Sequence, residues 1–174
     1  IGLKKKGIRK IHIAAHLHDI GKIGIPDAIL NKEGRLTDEE FEIMKTHSAI
    51  GAGILSKSKS LSEFSDIVLH HHERFDGKGY PDGLKGEKIP VGARIIAICD
   101  SIDAMTSNRR YRKALGFDVC YQEIEKNLGK MYDPIIGQYV LDHFDKVTAC
   151  GGSWMVKKDL IEKDQFDEIT RLSR

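Results

Sequence analysis

Val91-Gly92-Ala93-Arg94-Ile95-Ile96-Ala97-Ile98-Cys99-Asp100-Ser101-Ile102-Asp103-Ala104-Met105-Thr106 decides the fold class of this 174-residue chain. Ile95-Ile96-Ala97-Ile98 taken alone fits a buried strand. The whole run is too long for one, and its later apolar positions (Ile98, Ile102, Met105) fall three or four residues apart, so it reads as a buried helix. Asp100 and Asp103, one turn apart, stand in apolar surroundings where a solvated acidic face is not expected.

The flanking segments give the same period. Ile8, Ile11, Ala14, Ala15 and Leu17 describe a helix that delivers His18 and Asp19 at its C-terminal end and is broken by Gly21. A short helix follows the turn Gly24–Asp27 and runs through Leu30, with Asp27 as its cap. Thr37 and Glu40 form a capping box, opening a helix on which Phe41, Met44, His47 and Ile50 share a face. Leu61–Leu69, capped by Ser62, leads into His70-His71-His72. Asp76–Pro90, with four Gly and two Pro, reads as a loop with the flexible, charged character of a lip over a cleft. Phe117–Leu128 and Pro134–Phe144 are two more helices, the latter capped by Asp133, and Lys157–Leu172 is a charged tail helix. The expectation is an all-α domain of six to eight helices over residues 1–147, with a helical tail over 148–174.

Bulk properties narrow the function. A net charge of +2, with sparse aromatics, gives no basic field for a nucleic-acid polymer. Three scattered cysteines, Cys99, Cys120 and Cys150, point to a reducing compartment and a cytoplasmic domain, and Cys99 reads as a small core residue. No apolar stretch approaches membrane-spanning length. The N-terminus has neither an initiator Met nor a signal-type apolar region, so the chain reads as a piece of a longer protein.

The chemistry lies in His18, Asp19, His47, His71, His72 and Asp100, the side-chain types that hold a pair of divalent transition metals. Two ions about 3.5–4 Å apart suit cleavage of a phosphodiester near neutral pH. Asp19 fits the bridging position, His18 and Asp100 one ion, and His47, His71 and His72 the other. Of the histidine triplet, His71 and His72 abut Glu73 and the loop and are preferred over His70. His16 should point roughly 160° away from His18 on an ideal helix, and its role is open. His12 and His143 read as surface or packed residues. Lys22, Arg109 and Arg112 suit substrate phosphates. Lys22 also suits proton donation to the leaving oxygen, and Tyr80 suits stacking on a base or closing the lip.

Taken in order, His18-Asp19-Ile20-Gly21-Lys22-Ile23-Gly24-Ile25-Pro26-Asp27, His47 with Gly51, His71-His72-Glu73, Asp76-Gly77-Lys78-Gly79-Tyr80-Pro81, Asp100-Ser101-Ile102-Asp103 and Arg109-Arg110-Tyr111-Arg112 resemble the HD-GYP domain. This is a branch of the HD metal-dependent phosphohydrolases, and the likeness covers about residues 8–145. The resemblance implies an HD-type helical bundle and a bacterial phosphodiesterase that opens cyclic di-GMP to linear pGpG and then GMP. It implies two or three divalent metals, iron or manganese, held by His18, Asp19, His47, His71, His72 and Asp100. Asp19 and Lys22 would be catalytic, and Lys22, Tyr80, Arg109 and Arg112 would hold substrate. Gly79-Tyr80-Pro81 would contact GGDEF-domain partners. The alternatives are a hydrolase of cyclic GMP-AMP and a non-catalytic cyclic-dinucleotide receptor or GGDEF-docking module. The family normally carries an additional histidine ligand on helices preceding this segment, a place that His12 or His16 would have to fill. Arg110 stands where the family commonly has proline.

Overall fold

A computed structural model of the chain describes residues 2–108 and 113–149. Arg109, Arg110, Arg112, Cys150 and the expected tail helix lie outside them. The α-helices are α1 (Lys5–Leu17), α2 (Asp27–Leu30), α3 (Asp38–Lys45), α4 (His47–Ser56), α5 (Ser65–Leu69), α6 (Val91–Thr106), α7 (Phe117–Lys126), α8 (Pro134–Asp142) and α9 (Phe144–Ala149). Single 3-10 turns at Ile20–Gly24, Ser62–Phe64 and Gly86–Lys88 join them. Among the described residues there is no strand, only an isolated bridge between Leu128 and Tyr132. The protein is all-α, as the apolar period requires.

Helix α6 is the common wall of two cores. Its N-terminal half gives Ala93 and Ile96 to a cluster with Ile13, Ala14 and Leu17 of α1, Leu55 of α4 and Ile67 and Val68 of α5. Its C-terminal half gives Ile98 and Ile102 to a second cluster with Ile124 of α7 and Ile136, Val140 and Leu141 of α8. A helix buried on opposite sides along its length must be apolar nearly all round, which is why its sequence imitates a strand. The two halves are tied by Arg94, which donates to the Ile89 carbonyl at 3.0 Å and to Asp133 Oδ2. Asp133 Oδ1 in turn accepts the backbone N–H groups of Ile135 and Ile136, the expected cap of α8.

Several local expectations change. The capping box at Thr37 and Glu40 forms as read, but its helix ends at Thr46. The Thr46 hydroxyl donates to the Ile43 carbonyl at 2.7 Å, and a separate helix starts at His47. Phe41 and Ile43 are exposed, at 47% and 42%. Ser62 caps nothing; it is the first residue of a 3-10 turn whose preceding residue is Leu61. Asp27 is the first residue of α2, behind Pro26, and makes no capping bond. No described helix is long and apolar enough to cross a membrane.

Candidate metal centre

Helix α1 ends at Leu17, so His18 and Asp19 leave its C-terminus and enter the 3-10 turn Ile20–Gly24. Gly21 fixes where that turn goes. A Cβ there would lie 1.9 Å from the His47 carbonyl oxygen and 2.4 Å from the Gly51 nitrogen. The glycine read as a helix breaker is thus a contact point, where α4's backbone approaches too closely for any side chain. The approach brings His47, buried at the start of α4, opposite Asp19. His71 and His72 follow α5 in a turn, and Asp100 comes from the middle of α6.

Three imidazoles are fixed in the same way. Nδ1 lies 2.6 Å from the Ala15 carbonyl in His18, 2.7 Å from the Met44 carbonyl in His47 and 2.6 Å from the Val68 carbonyl in His71. A carbonyl only accepts, so in each ring Nδ1 carries the proton and donates it. In the neutral ring Nε2 is then a bare lone pair. His47 Nε2 lies 3.3 Å from His71 Nε2 and 3.2 Å from His72 Nε2. His18 Nε2 is buried with no hydrogen-bond partner.

Charge does not relieve these contacts. Burial, reinforced by His72, pushes His71 down to about 3; burial, reinforced by His47, takes His72 to about 4. Burial also lowers His47. These rings are neutral at physiological pH, so the His47 and His71 lone pairs face each other across 3.3 Å, with His72 Nε2 3.2 Å from His47 Nε2. Two nitrogens each about 2.0–2.1 Å from a shared ion at a near-tetrahedral angle would be about 3.3 Å apart. The donor set therefore fits a divalent transition cation.

The carboxylates complete the ring of donors. Asp19 presents Oδ1 to His47 Nε2 at 3.6 Å and Oδ2 to His18 Nε2 at 3.4 Å. Its two oxygens thus face different imidazoles, the arrangement expected of a bridge. Lys22 Nζ donates to Asp19 Oδ2 at 2.6 Å. Burial raises the Asp19 pKa, but His18 and Lys22 outweigh it and the net shift is downward. Asp100 Oδ1 is 3.7 Å from His18 Nε2, too far for a hydrogen bond. Against its burial, the imidazoles of His18, His72 and His71 hold Asp100 at about 2. His18 is the exception among the rings: burial lowers it, yet Asp100, Asp19 and the Ala15 carbonyl together raise it.

Two groups of donors lie within 4.8 Å: His47, His71 and His72, and His18, Asp19 and His71. His71 belongs to both, so the two shells expected from sequence share a member. Asp100 stands at the rim beside His18. His70 turns away, with Nδ1 against the Asp66 carbonyl and Nε2 2.9 Å from Asp82. His143 bonds the Tyr139 carbonyl on the surface. His16 lines the same cleft as His18, with Cys99, Asp100 and Asp103, although an ideal helix would turn the two apart. Cys99 is only partly buried there, with its thiol pushed up to about 11 by burial and Asp100. Arg109 and Arg112 lie outside the described residues.

The loop after His72 is held down rather than free. Gly79 sits on the chain: a Cβ would meet the Arg74 nitrogen at 2.3 Å and the Glu73 Cα at 2.5 Å. Tyr80 N donates to the His72 carbonyl, Asp82 N to Glu73 Oε1, and Gly86 N to the Phe75 carbonyl. Tyr80 stacks on His72 with ring centroids 4.9 Å apart and meets the edge of Phe41 at 6.4 Å. Lys45 Nζ lies 5.5 Å from the Phe41 centroid and 5.8 Å from that of Tyr80. Sequence reasoning missed Phe41, Lys45 and Glu73. For Phe41 and Lys45 the signal was a large aromatic and a cation four residues apart on one helix face.

A sequence profile described as HD domain matches residues 1–136. Over 150 residues the chain is 48% identical to a cyclic di-GMP phosphodiesterase of Thermotoga maritima, covering 85% of this chain and 41% of that protein. Over 154 residues it is 36% identical to 3'3'-cGAMP-specific phosphodiesterase 2 of Vibrio cholerae, covering 87% of this chain and 30% of that protein. The crystal structure of a cyclic GMP-AMP specific phosphodiesterase of V. cholerae shares the fold, with a TM-score of 0.62 at 16% identity over 98% of this chain and 44% of that one. The chain thus spans less than half the length of these curated relatives. All six histidine and aspartate donors read from the sequence fall within the profile match, and on that match the chain belongs to the HD domain family.

Proposed function

We propose that this domain is a metal-dependent phosphodiesterase of the HD-GYP branch that hydrolyses cyclic di-GMP to pGpG and GMP. His18, Asp19, His47, His71, His72 and Asp100 would hold two divalent cations, iron or manganese, with Asp19 between them. The observation that carries the reading is the meeting of the neutral Nε2 lone pairs of His47 and His71 at 3.3 Å, with His72 Nε2 beside them. Protein groups alone would not hold such a contact, because a buried acceptor without a donor costs about 1–3 kcal/mol. The 48% identity to a cyclic di-GMP phosphodiesterase supplies the substrate class.

Bound cations would act as Lewis acids toward a phosphoryl oxygen and make a water easier to deprotonate. The chain's own residues do the rest. The Ala15, Met44 and Val68 carbonyls hold three ring tautomers, so that every Nε2 faces inward. Lys22, at 2.6 Å from Asp19, carries a proton at the edge of the centre and would pass it to the leaving ribose oxygen. Arg109 and Arg112 would grip the phosphates, and Tyr80, already stacked on His72, would meet a base. The same loop, Gly79-Tyr80-Pro81, would dock GGDEF domains, since Pro81 and Asp82 at its tip are exposed. Turnover of an intracellular second messenger places the domain in the cytoplasm.

A second reading, hydrolysis of cyclic GMP-AMP, is favoured by the 36% identity to a 3'3'-cGAMP-specific enzyme. One experiment separates the readings. The chain is loaded with Mn(II) or anaerobically with Fe(II), its metal is measured, and the products of both cyclic dinucleotides are followed by chromatography. Faster release of pGpG and GMP from cyclic di-GMP is the expected result. Preference for the mixed dinucleotide selects the second reading, and fully loaded protein that binds either one without turnover overturns both.

A further inference from the structure

Helix α1 carries a pair of histidines that the centre described above does not use. His12 and His16 are four residues apart, which puts them on one helical face, and their ring centroids are 4.8 Å apart, edge to face. Both Nε2 atoms are shielded from solvent and have no hydrogen-bond partner in the protein. One such atom is unusual. Two, on adjacent turns of the same helix, call for a shared explanation.

We infer that His12 and His16 form a separate two-imidazole clamp for a divalent transition cation of the zinc or nickel class. The i, i+4 spacing is the one by which two histidines of a helix ligate a single ion. Rings bound through nitrogens about 2.0–2.1 Å from a common ion would have centroids about 5 Å apart, close to the separation found. Imidazole donors select zinc, nickel, copper or cobalt over magnesium and calcium. His16 opens onto a cleft of about 190 Å³ from which water could fill the remaining positions, since the pair belongs to no described group of three donors within 4.8 Å. The clamp is separate from the main centre: neither histidine belongs to either of the two donor groups that gather around His71.

The test is zinc binding by the full chain. Zinc is titrated into the wild type, a His12→Ala/His16→Ala variant and a His71→Ala/His72→Ala variant, and the bound metal is counted by elemental analysis at matched free zinc. The clamp variant should bind one equivalent less than the wild type, and the main-centre variant should keep that equivalent. Equal stoichiometry in the wild type and the clamp variant would overturn the inference. Should the clamp variant not fold, the wild type alone decides. Added Co(II) should shift the ring-proton resonances of His12 and His16 even after the main centre has been filled with zinc, and resonances that stay in place would reject the clamp. Because loss in the main-centre variant and loss in the clamp variant are read separately, failure here leaves the proposed enzymatic centre untouched.

Discussion

The two cores on either side of α6 treat buried polarity in opposite ways. Around α7 and α8, Asp133 is 4% exposed and completely partnered, by two backbone N–H groups and Arg94. Around α1, α4 and α5, His47 and His71 are 1% exposed and turn lone pairs toward each other. Glu73, 3% exposed, satisfies one oxygen with Asp82 N–H and leaves the other without a partner. A buried polar group with every partner in place stabilises the fold. Groups that converge without donors gain their partner only from a ligand. The same solvent exclusion therefore serves stability on one side of the helix and reactivity on the other.

The sharpest way to break this contrast is Asp19→Ala. Cyclic dinucleotide turnover should fall by about 10²–10³-fold or more, as expected for loss of a group that stabilises transition-state charge. Bound metal should fall with it, while the melting temperature of the metal-free protein changes little. Full activity in metal-free Asp19→Ala protein would dismiss the centre altogether. Arg94→Ala should do the reverse. It strands the buried Asp133 carboxylate, a loss of about 3–5 kcal/mol by chemical denaturation, and the protein that remains folded should bind its usual metal. An unchanged denaturation midpoint would mean that the capping N–H groups suffice for Asp133.

Gly21→Ala joins the two sides, because its Cβ has no room beside the His47 carbonyl. A cost of about 1–3 kcal/mol is expected from the forced backbone shift, with weaker metal binding as Asp19 and His47 separate. Normal metal affinity in a destabilised variant would detach the centre from this contact. The smallest effect concerns the foot of the loop, where Arg74 donates twice to Asp76 and holds its carboxyl at about 2. A depressed carboxylate pKa stabilises the fold above its unfolded value of about 3.9 and loses that contribution as pH falls through about 2. The pair lies near the surface and is worth little to global stability. It should nevertheless survive mild acid, and an NMR titration of the Asp76 carboxyl carbon with a midpoint near 4 would show that it does not.

Much of this was legible in the sequence where local rules decide. α6 has the bounds read from its apolar run, Thr37 with Glu40 and Asp133 cap as their side chains dictate, and His18, Asp19, His47, His71 and His72 come together as their chemistry suggested. Local rules failed where two backbones meet or a helix stops. Thr46 divides a helix whose apolar spacing continues unbroken. His16 reaches the cleft that His18 lines, which helix spacing alone does not foresee. Phe41, read on one face with His47, meets the Tyr80 ring.

The sequence by itself determined the helical period, two of the caps and the inventory of imidazoles and carboxylates, because each depends on neighbours within one or two turns. Only the tertiary structure decided which of the Nε2 lone pairs meet. Each Nδ1 bonds a carbonyl three residues back in its own turn, but the meeting requires a facing helix, held in place by the close approach at Gly21, to exclude water from the other side of the ring.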